Sequence, residues 1–346
     1  MLNLFKNQLA KCVPLSDEQT ATAVGQLLDE SVPAELKADF LCSLAQKIET
    51  PTEIAAFARE LRAHSITPPL DAQTRSREIL DVCGTGGDRL NTFNISTTVA
   101  LICAAAGVTV AKHGNRAVTS QAGSADVLEA LGIPVELSPQ AASDSLRDHQ
   151  FAFFFAPHFH PAFRHLAAAR KICAQRGQRT IFNFLGPLLN PARPTAQLVG
   201  VARPELCETL ANVLQSLGVR RGMVVSGRVG DAWLDELSTL GENTVAEFYH
   251  DRGFTASVIS PAHFPVQPAV LADLGGGNRD ANAEIIRRLL RNEDRGPKRD
   301  AVLLNAGAAL FVANQTKSVS EGWDLATEIL QSGLAQKKLK ELANSL

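Results

Sequence analysis

The run "FAFFF" at residues 151–155 constrains the fold of this chain more than any other stretch. Side chains of a strand alternate between the two faces of its sheet, so an uninterrupted apolar run needs both faces covered. Sheets covered on both sides are characteristically parallel, with helices as their crossovers. The flanking segments fit that pattern. "EILDVC", "VTVAK", "AQLVGVA" and "GMVVSG" read as short strands. "STTVALICAAAG", "SADVLEALG" with Ser124 as its cap, and "PELCETLANVLQSLG" read as helices between them.

Residues 1 to about 66 have another character, helical in pattern and almost free of glycine. Ser16 is placed to cap "SDEQTATAVGQLLDE", and prolines lead "PAELKADFLCSLAQKIE" and "PTEIAAFARELRAHS". "TPPLDAQTR" reads as a linker, and the tail from about residue 281 is again helical, with a capping box at "SVSE". The expectation is an α/β protein with a small helical domain over residues 1–70. A large α/β domain over 71–346 follows, its mostly parallel central sheet flanked by helices.

Charge narrows the function. With 34 basic against 36 acidic residues and a net charge of -2, no general basic surface for nucleic acid or membrane is present. Six scattered cysteines show no CxxC or metal-like spacing, and "MLNLFKNQLAKCVPL" interrupts its apolar residues with Lys6, Asn7 and Lys11. No run reaches the roughly 18 apolar residues of a membrane span. A reduced, cytoplasmic protein is expected.

The chemistry concentrates at strand ends. "EILDVC-GTGGD" followed by "NISTTVALICAAAG" is strand, glycine loop, helix. Glycine lets backbone N–H groups approach an anion, and a helix N-terminus adds partial positive charge. Asn94, Ser96, Thr97 and Thr98 add donors there, while Asp88 inside the loop calls for a metal ion or sugar hydroxyls. The plainer alternative is a strand-to-helix turn with capping hydroxyls, since the loop is neither a P-loop nor GxGxxG. A second strand end brings Lys112, His113, Asn115 and Arg116 together before Ser120 and Gly123-Ser124. Ligands of open parallel sheets collect outside the carboxyl ends of strands, so the two loops can surround one polyanion; singly, either is a solvated turn. Beyond a further strand stands the acid pair Asp235-Glu236. Such pairs are usually surface, but Mg²⁺ takes a few carboxylates together with substrate phosphates.

Taken in order, "GTGGD", "TFNIST", "KHGNR", "GSADVLEALG", "FAPHFHPAF", "RTIFNFLGPLLNPA" and "LDELS" resemble the anthranilate phosphoribosyltransferase family, from the N-terminal helices to the end of the chain. The resemblance implies transfer of the phosphoribosyl group of phosphoribosyl pyrophosphate (PRPP) to the amino group of anthranilate. Pyrophosphate is released with Mg²⁺ as cofactor, in tryptophan biosynthesis. It implies that a helical segment near 160–190 completes the small domain, and a homodimer contacting through the small domains. It places Gly84, Gly87, Asp88, Thr92, Asn94, Ile95, Ser96, Thr97, Lys112, His113, Gly114, Asn115, Arg116, Ser120 and Ser124 at PRPP. It places Gly84, Asn115 and Arg170 at anthranilate, and Ser96, Asp235 and Glu236 at the metal.

Arg170 also has a reading of its own. On "PAFRHLAAARK", Phe163, Leu166, Ala167 and Arg170 share one helical face. An arginine there either lays its stem on the core and reaches water, or presents its fork to a carboxylate. The following "KICAQRGQ" is longer than the family's usual connection. A shifted match would put Cys173 at the arginine position, whereas Arg170 keeps the spacing from "HPA". No acid–base catalyst is assigned, since an aromatic amine is neutral near pH 7; His113 and His158 are open candidates for the proton released later. Two rivals stand beside this reading. One is a pyrimidine or thymidine phosphorylase of similar fold, whose loop resembles KxSTGG. The other is a catalytically silent relative binding nucleic acid, which would need damaged loops and a basic surface.

Overall fold

The computed structural model describes residues 1–117, 121–250 and 253–344. Four helices open the chain: α1 (Leu2–Leu9), α2 (Asp17–Leu28), α3 (Ala34–Lys47) and α4 (Pro51–Ala63). Their starts are set by side chains. Ser16 Oγ accepts the Gln19 N–H while the Gln19 side chain accepts that of Ser16, and Thr50 and Glu53 repeat the box. Glu53 does more than cap. It also accepts from Leu15 N–H and pairs with Lys47 at 2.6 Å, both partners almost fully buried, which locks three helices together.

The rest is organised around an eight-stranded sheet. Its strands are β1 (Ile79–Gly84), β2 (Thr109–Gly114), β3 (Phe151–Phe155), β4 (Ala196–Gly200), β5 (Arg221–Val229), β6 (Ala232–Leu234), β7 (Asn243–Tyr249) and β8 (Thr255–Ile259). The order is β3-β2-β1-β4-β5-β7-β8, with β6 paired to β5. The first five are parallel, and β6, β7 and β8 join antiparallel. All five residues of β3 are buried, as "FAFFF" requires. One face of the sheet packs on the helices Ile95–Ala105 and Ser124–Ala130 and on the C-terminal helices, and the other shares a core with α1–α4 and helix Leu206–Ser216. Helix α5 (Ala72–Ser76) takes up the end of the linker, and α6 (Ile95–Ala105) follows the glycine loop.

Three local expectations are corrected. The cap before the helix Ser124–Ala130 is Gly123, and Ser124 is the first helical residue. There the Asp126 carboxylate accepts from Gly123 N–H and Ala117 N–H, both at 2.9 Å, so it does the capping. At "SVSE", Ser318 Oγ accepts the Glu321 N–H, but Glu321 returns its bond to Lys317. Finally, "PAFRHLAAARK" is not one helix. Pro161–Leu166 is a 3-10 turn, and the α-helix runs Ala167–Gln175. Tighter winding rotates the stripe, so the buried positions are Leu166, Ala169 and Cys173 while Ala167 and Arg170 are exposed. This helix packs against α3.

Candidate active site

At the carboxyl ends of β1, β2 and β6 the chain leaves a cleft of about 430 Å³. Its walls come from three remote segments: 83–97, 112–115 with 122–124, and Asp235-Glu236. The glycines earn their places through contact. A Cβ on Gly84 would stand 2.2 Å from Asp235 Oδ2, and one on Gly200 would stand 1.6 Å from the Asp235 carbonyl oxygen. Gly86 and Gly87 have φ of +77° and +84°, the left-handed region that side chains disfavour.

The bare loop and helix end meet the acid pair directly. Gly86 N–H donates to Asp235 Oδ2 at 2.6 Å, and Ser96 N–H, in the first turn of α6, donates to Glu236 Oε1 at 3.1 Å. Lys112, 1% exposed, donates from Nζ to the Val82 carbonyl at 2.7 Å and to Ser96 Oγ at 3.4 Å. An ammonium so enclosed must be matched by charge and dipoles, since removing one partner of a buried charge costs about 3–5 kcal/mol. Burial pushes the Glu236 carboxyl up to about 7. Burial, then the charges of Asp88 and Glu236, hold the Asp235 carboxyl well above the usual range.

This donor set fits Mg²⁺. It offers hard oxygens from Asp235, Glu236 and the Ser96 hydroxyl, and a cation would favour the ionised forms of two carboxyls that burial disfavours. Among the described residues, no three His, Cys, Asp or Glu side chains form a self-contained metal cage. The cation would therefore complete its shell with substrate oxygens and water.

A second cavity of about 250 Å³ abuts the first. The two share Cys83, Gly84, His113, Gly114 and Asn115. Its other walls are mainly apolar, including Phe163, Phe182, Leu185 and Pro187, with Arg170 at one side. The Arg170 guanidinium lies 5.7 Å from the centre of the Phe182 ring. No hydrogen bond or ion pair from it is found among the described residues. Such a site accepts a flat aromatic body and a carboxylate.

Of the residues anticipated at PRPP, Gly84, Gly87, Asp88, Thr92, Asn94, Ile95, Ser96, Thr97, Lys112, His113, Gly114, Asn115 and Ser124 all line the large cleft. Ser120 lies outside the described residues. Arg116 departs from the expectation. Its side chain is absent from the cleft wall and turns to Asp126, Glu129 and Glu136, with the closest pair at 2.7 Å, over the Phe155 ring. Three carboxylates outbid a solvent-facing position. His158 sits apart, half-exposed near Glu136. Sequence reasoning passed over Asn91, Phe93 and the apolar walls of the second cavity. It also passed over Asp81, although an acid inside the apolar strand "EILDVC" was a visible signal.

A two-cavity cleft over a mostly parallel sheet, beside a helical layer, is the architecture of a small-molecule enzyme, and the class it belongs to is glycosyl-transferring. Residues 76–336 match the glycosyl transferase family a/b domain, and residues 7–65 match its helical bundle domain. At higher resolution, the chain belongs to the anthranilate phosphoribosyltransferase family. It is 44% identical over 328 residues to that enzyme of Lacticaseibacillus paracasei, covering 95% of this chain and 92% of the relative. It is 43% identical to the Petrotoga mobilis enzyme, covering 99% and 96%. The Thermus thermophilus structure of the enzyme superposes with a TM-score of 0.88 at 41% identity, covering 98% of each chain. The Saccharomyces cerevisiae enzyme in complex with PRPP and Mg also gives 0.88, at 27% identity, covering 100% of this chain and 98% of that one.

Proposed function

We propose that this enzyme transfers the 5-phosphoribosyl group of PRPP to the amino group of anthranilate. The products are N-(5-phosphoribosyl)anthranilate and pyrophosphate, the second step of tryptophan biosynthesis from chorismate. The observation that carries the reading is the shared wall. Gly84, His113, Gly114 and Asn115 border both the oxygen- and N–H-rich cleft and the apolar cavity, so a donor in one meets an acceptor from the other there.

PRPP would lie with its phosphates against the 84–88 loop, the α6 N-terminus and Lys112. Departure of pyrophosphate leaves positive charge on the sugar and negative charge on the leaving oxygens. Mg²⁺ bound by Asp235, Glu236 and Ser96 would supply charge neutralisation for those oxygens. Lys112 and the loop amides add to it without reorganising. Arg170 would orient anthranilate by its carboxylate, leaving the neutral amine free to attack, so alignment carries the catalysis. A cytoplasmic homodimer completes the reading. Its support is the apolar surface of Met1, Leu4 and Val13, which are 65%, 67% and 47% exposed. Residues 1–70 with a segment near 160–190 would act as one body against the rest of 71–346, a division supported by the packing of Ala167–Gln175 on α3.

The test is direct. Anthranilate fluorescence should fall on mixing with enzyme, PRPP and Mg²⁺, with one pyrophosphate released per anthranilate consumed. Thymidine with phosphate should give no reaction. Cleavage of thymidine, or intact anthranilate, would reject the proposal.

A further inference from the structure

The parallel ladder between β1 and β2 ends early. It pairs Ile79 with Thr109 and Leu80 with Val110, and goes no further. On its outer sides each strand stays paired to its tip, β1 with β4 through Gly84 and β2 with β3 through Gly114. The two strands therefore separate from each other just below the cleft. Backbone groups facing such a split need other partners, because buried N–H and C=O groups are almost always satisfied.

Side chains fill the gap. Asp81 Oδ1 accepts the His113 N–H at 3.3 Å. Asn190 Nδ2 donates to Asp81 Oδ2 at 2.8 Å and to the Ala111 carbonyl at 2.7 Å, while its Oδ1 accepts from Ala192 N–H. Lys112 Nζ reaches the Val82 carbonyl from the other strand. Asp81 and Asn190 are wholly buried. Neither touches the large cleft, but Asp81 is bonded to His113, which does, and Asn190 is bonded to Asp81. The 112–115 segment carries the shared wall, and the 186–189 turn before Asn190 contributes Gly186, Pro187 and Leu189 to the apolar cavity.

We infer that Asp81, together with Asn190, is a positioning residue that holds β2 splayed from β1. It thereby sets Lys112 and His113 against both the donor loop and the acceptor wall. This rests on the phosphoribosyl-transfer reading for its effect on rate, but not for its effect on structure. Asp81 is also the buried carboxylate whose charge interacts with Lys112, so the two should act as a unit.

Two readouts test it. Hydrogen exchange in D81A should show the His113 amide losing at least about 10-fold of its protection, because alanine offers that N–H no acceptor. Amides of β2 directed at β3 should keep theirs. Unchanged exchange at His113 overturns the inference even if the enzyme is fully active. The second readout is a double-mutant cycle with K112M, measuring kcat per folded molecule. D81N should lower kcat about 10-fold or more beside Lys112 and less than about 3-fold beside Met. Equal falls in both backgrounds would mean a merely structural role and overturn it. Should D81A fail to fold, D81N in the double-mutant cycle decides alone, with the same expected and contrary results. A wild-type protein with a protected His113 amide that never consumes anthranilate would defeat the functional reading and leave the clasp standing.

Discussion

Individual side chains in this site are set by opposing demands of burial and charge. Asp235 and Glu236 are held where their ionised forms are disfavoured, which makes sense if a cation normally joins them. Replacing them together, D235N with E236Q, should lower turnover at saturating Mg²⁺ by about 100-fold or more, as expected when charge stabilisation in the transition state is removed. Near-normal rates would exclude them from the metal site. Arg170→Ala should raise the anthranilate KM about 10-fold or more, since a charged bond to a carboxylate is lost, and leave the PRPP KM within about 3-fold. A selective loss of PRPP affinity would contradict that assignment. Histidines supply the pH dependence. Burial lowers His113 to about 3 and His160 to about 4, so both stay neutral in the folded protein while the unfolded chain protonates near 6.5. Stability from them is complete above pH 6.5 and is lost as pH falls toward 4, by about 1.4 kcal/mol per pH unit for each group. Urea denaturation between pH 7 and pH 5 should show a steeper loss for wild type than for H160Q. Parallel slopes would refute this.

At the scale of elements, strand ends and glycines decide where chemistry can sit. Gly200 at the tip of β4 lets the Asp235 main chain lie against it, and an added methyl would meet a carbonyl oxygen that cannot swing aside. G200A should therefore displace the 235–236 segment. The expected result is loss of Mg²⁺-dependent activity with the far-UV circular dichroism of the fold retained; full activity would show the contact to be soft. This scale also explains what was legible in the chain. The strands were readable because runs such as "FAFFF" and "VTVAK" are continuous, and the loops because Gly84, Gly86 and Gly87 stand beside hydroxyl residues at their tips. Arg116 was not readable in the same way. Its fate depends on Glu129 and Glu136, brought near by a following helix and turn. The helix bearing Arg170 misled for a similar reason, because a 3-10 turn shifts every later position. The Asp81 clasp depends on two strands parting, a tertiary event that no local pattern encodes.

For the whole molecule, the arrangement turns on a cleft assembled from segments about 30 and 150 residues apart in the chain, with a helical layer beside the apolar cavity. The exposed Leu4 and Val13 belong to that layer. Changing both to Asp should convert a dimer into monomers in analytical ultracentrifugation; an unaltered sedimentation coefficient would remove this surface from the interface. No helix among the described residues is long and apolar enough to cross a membrane. The convergence of residues 84–88, 112–115 and 235–236 on one substrate is what the account depends on. A crystal structure with PRPP and Mg²⁺ bound tests it most directly. The account predicts pyrophosphate density between the glycine loop and Lys112, with a cation bridging it to Asp235 or Glu236. Ligand density elsewhere, with these three segments empty, would contradict it.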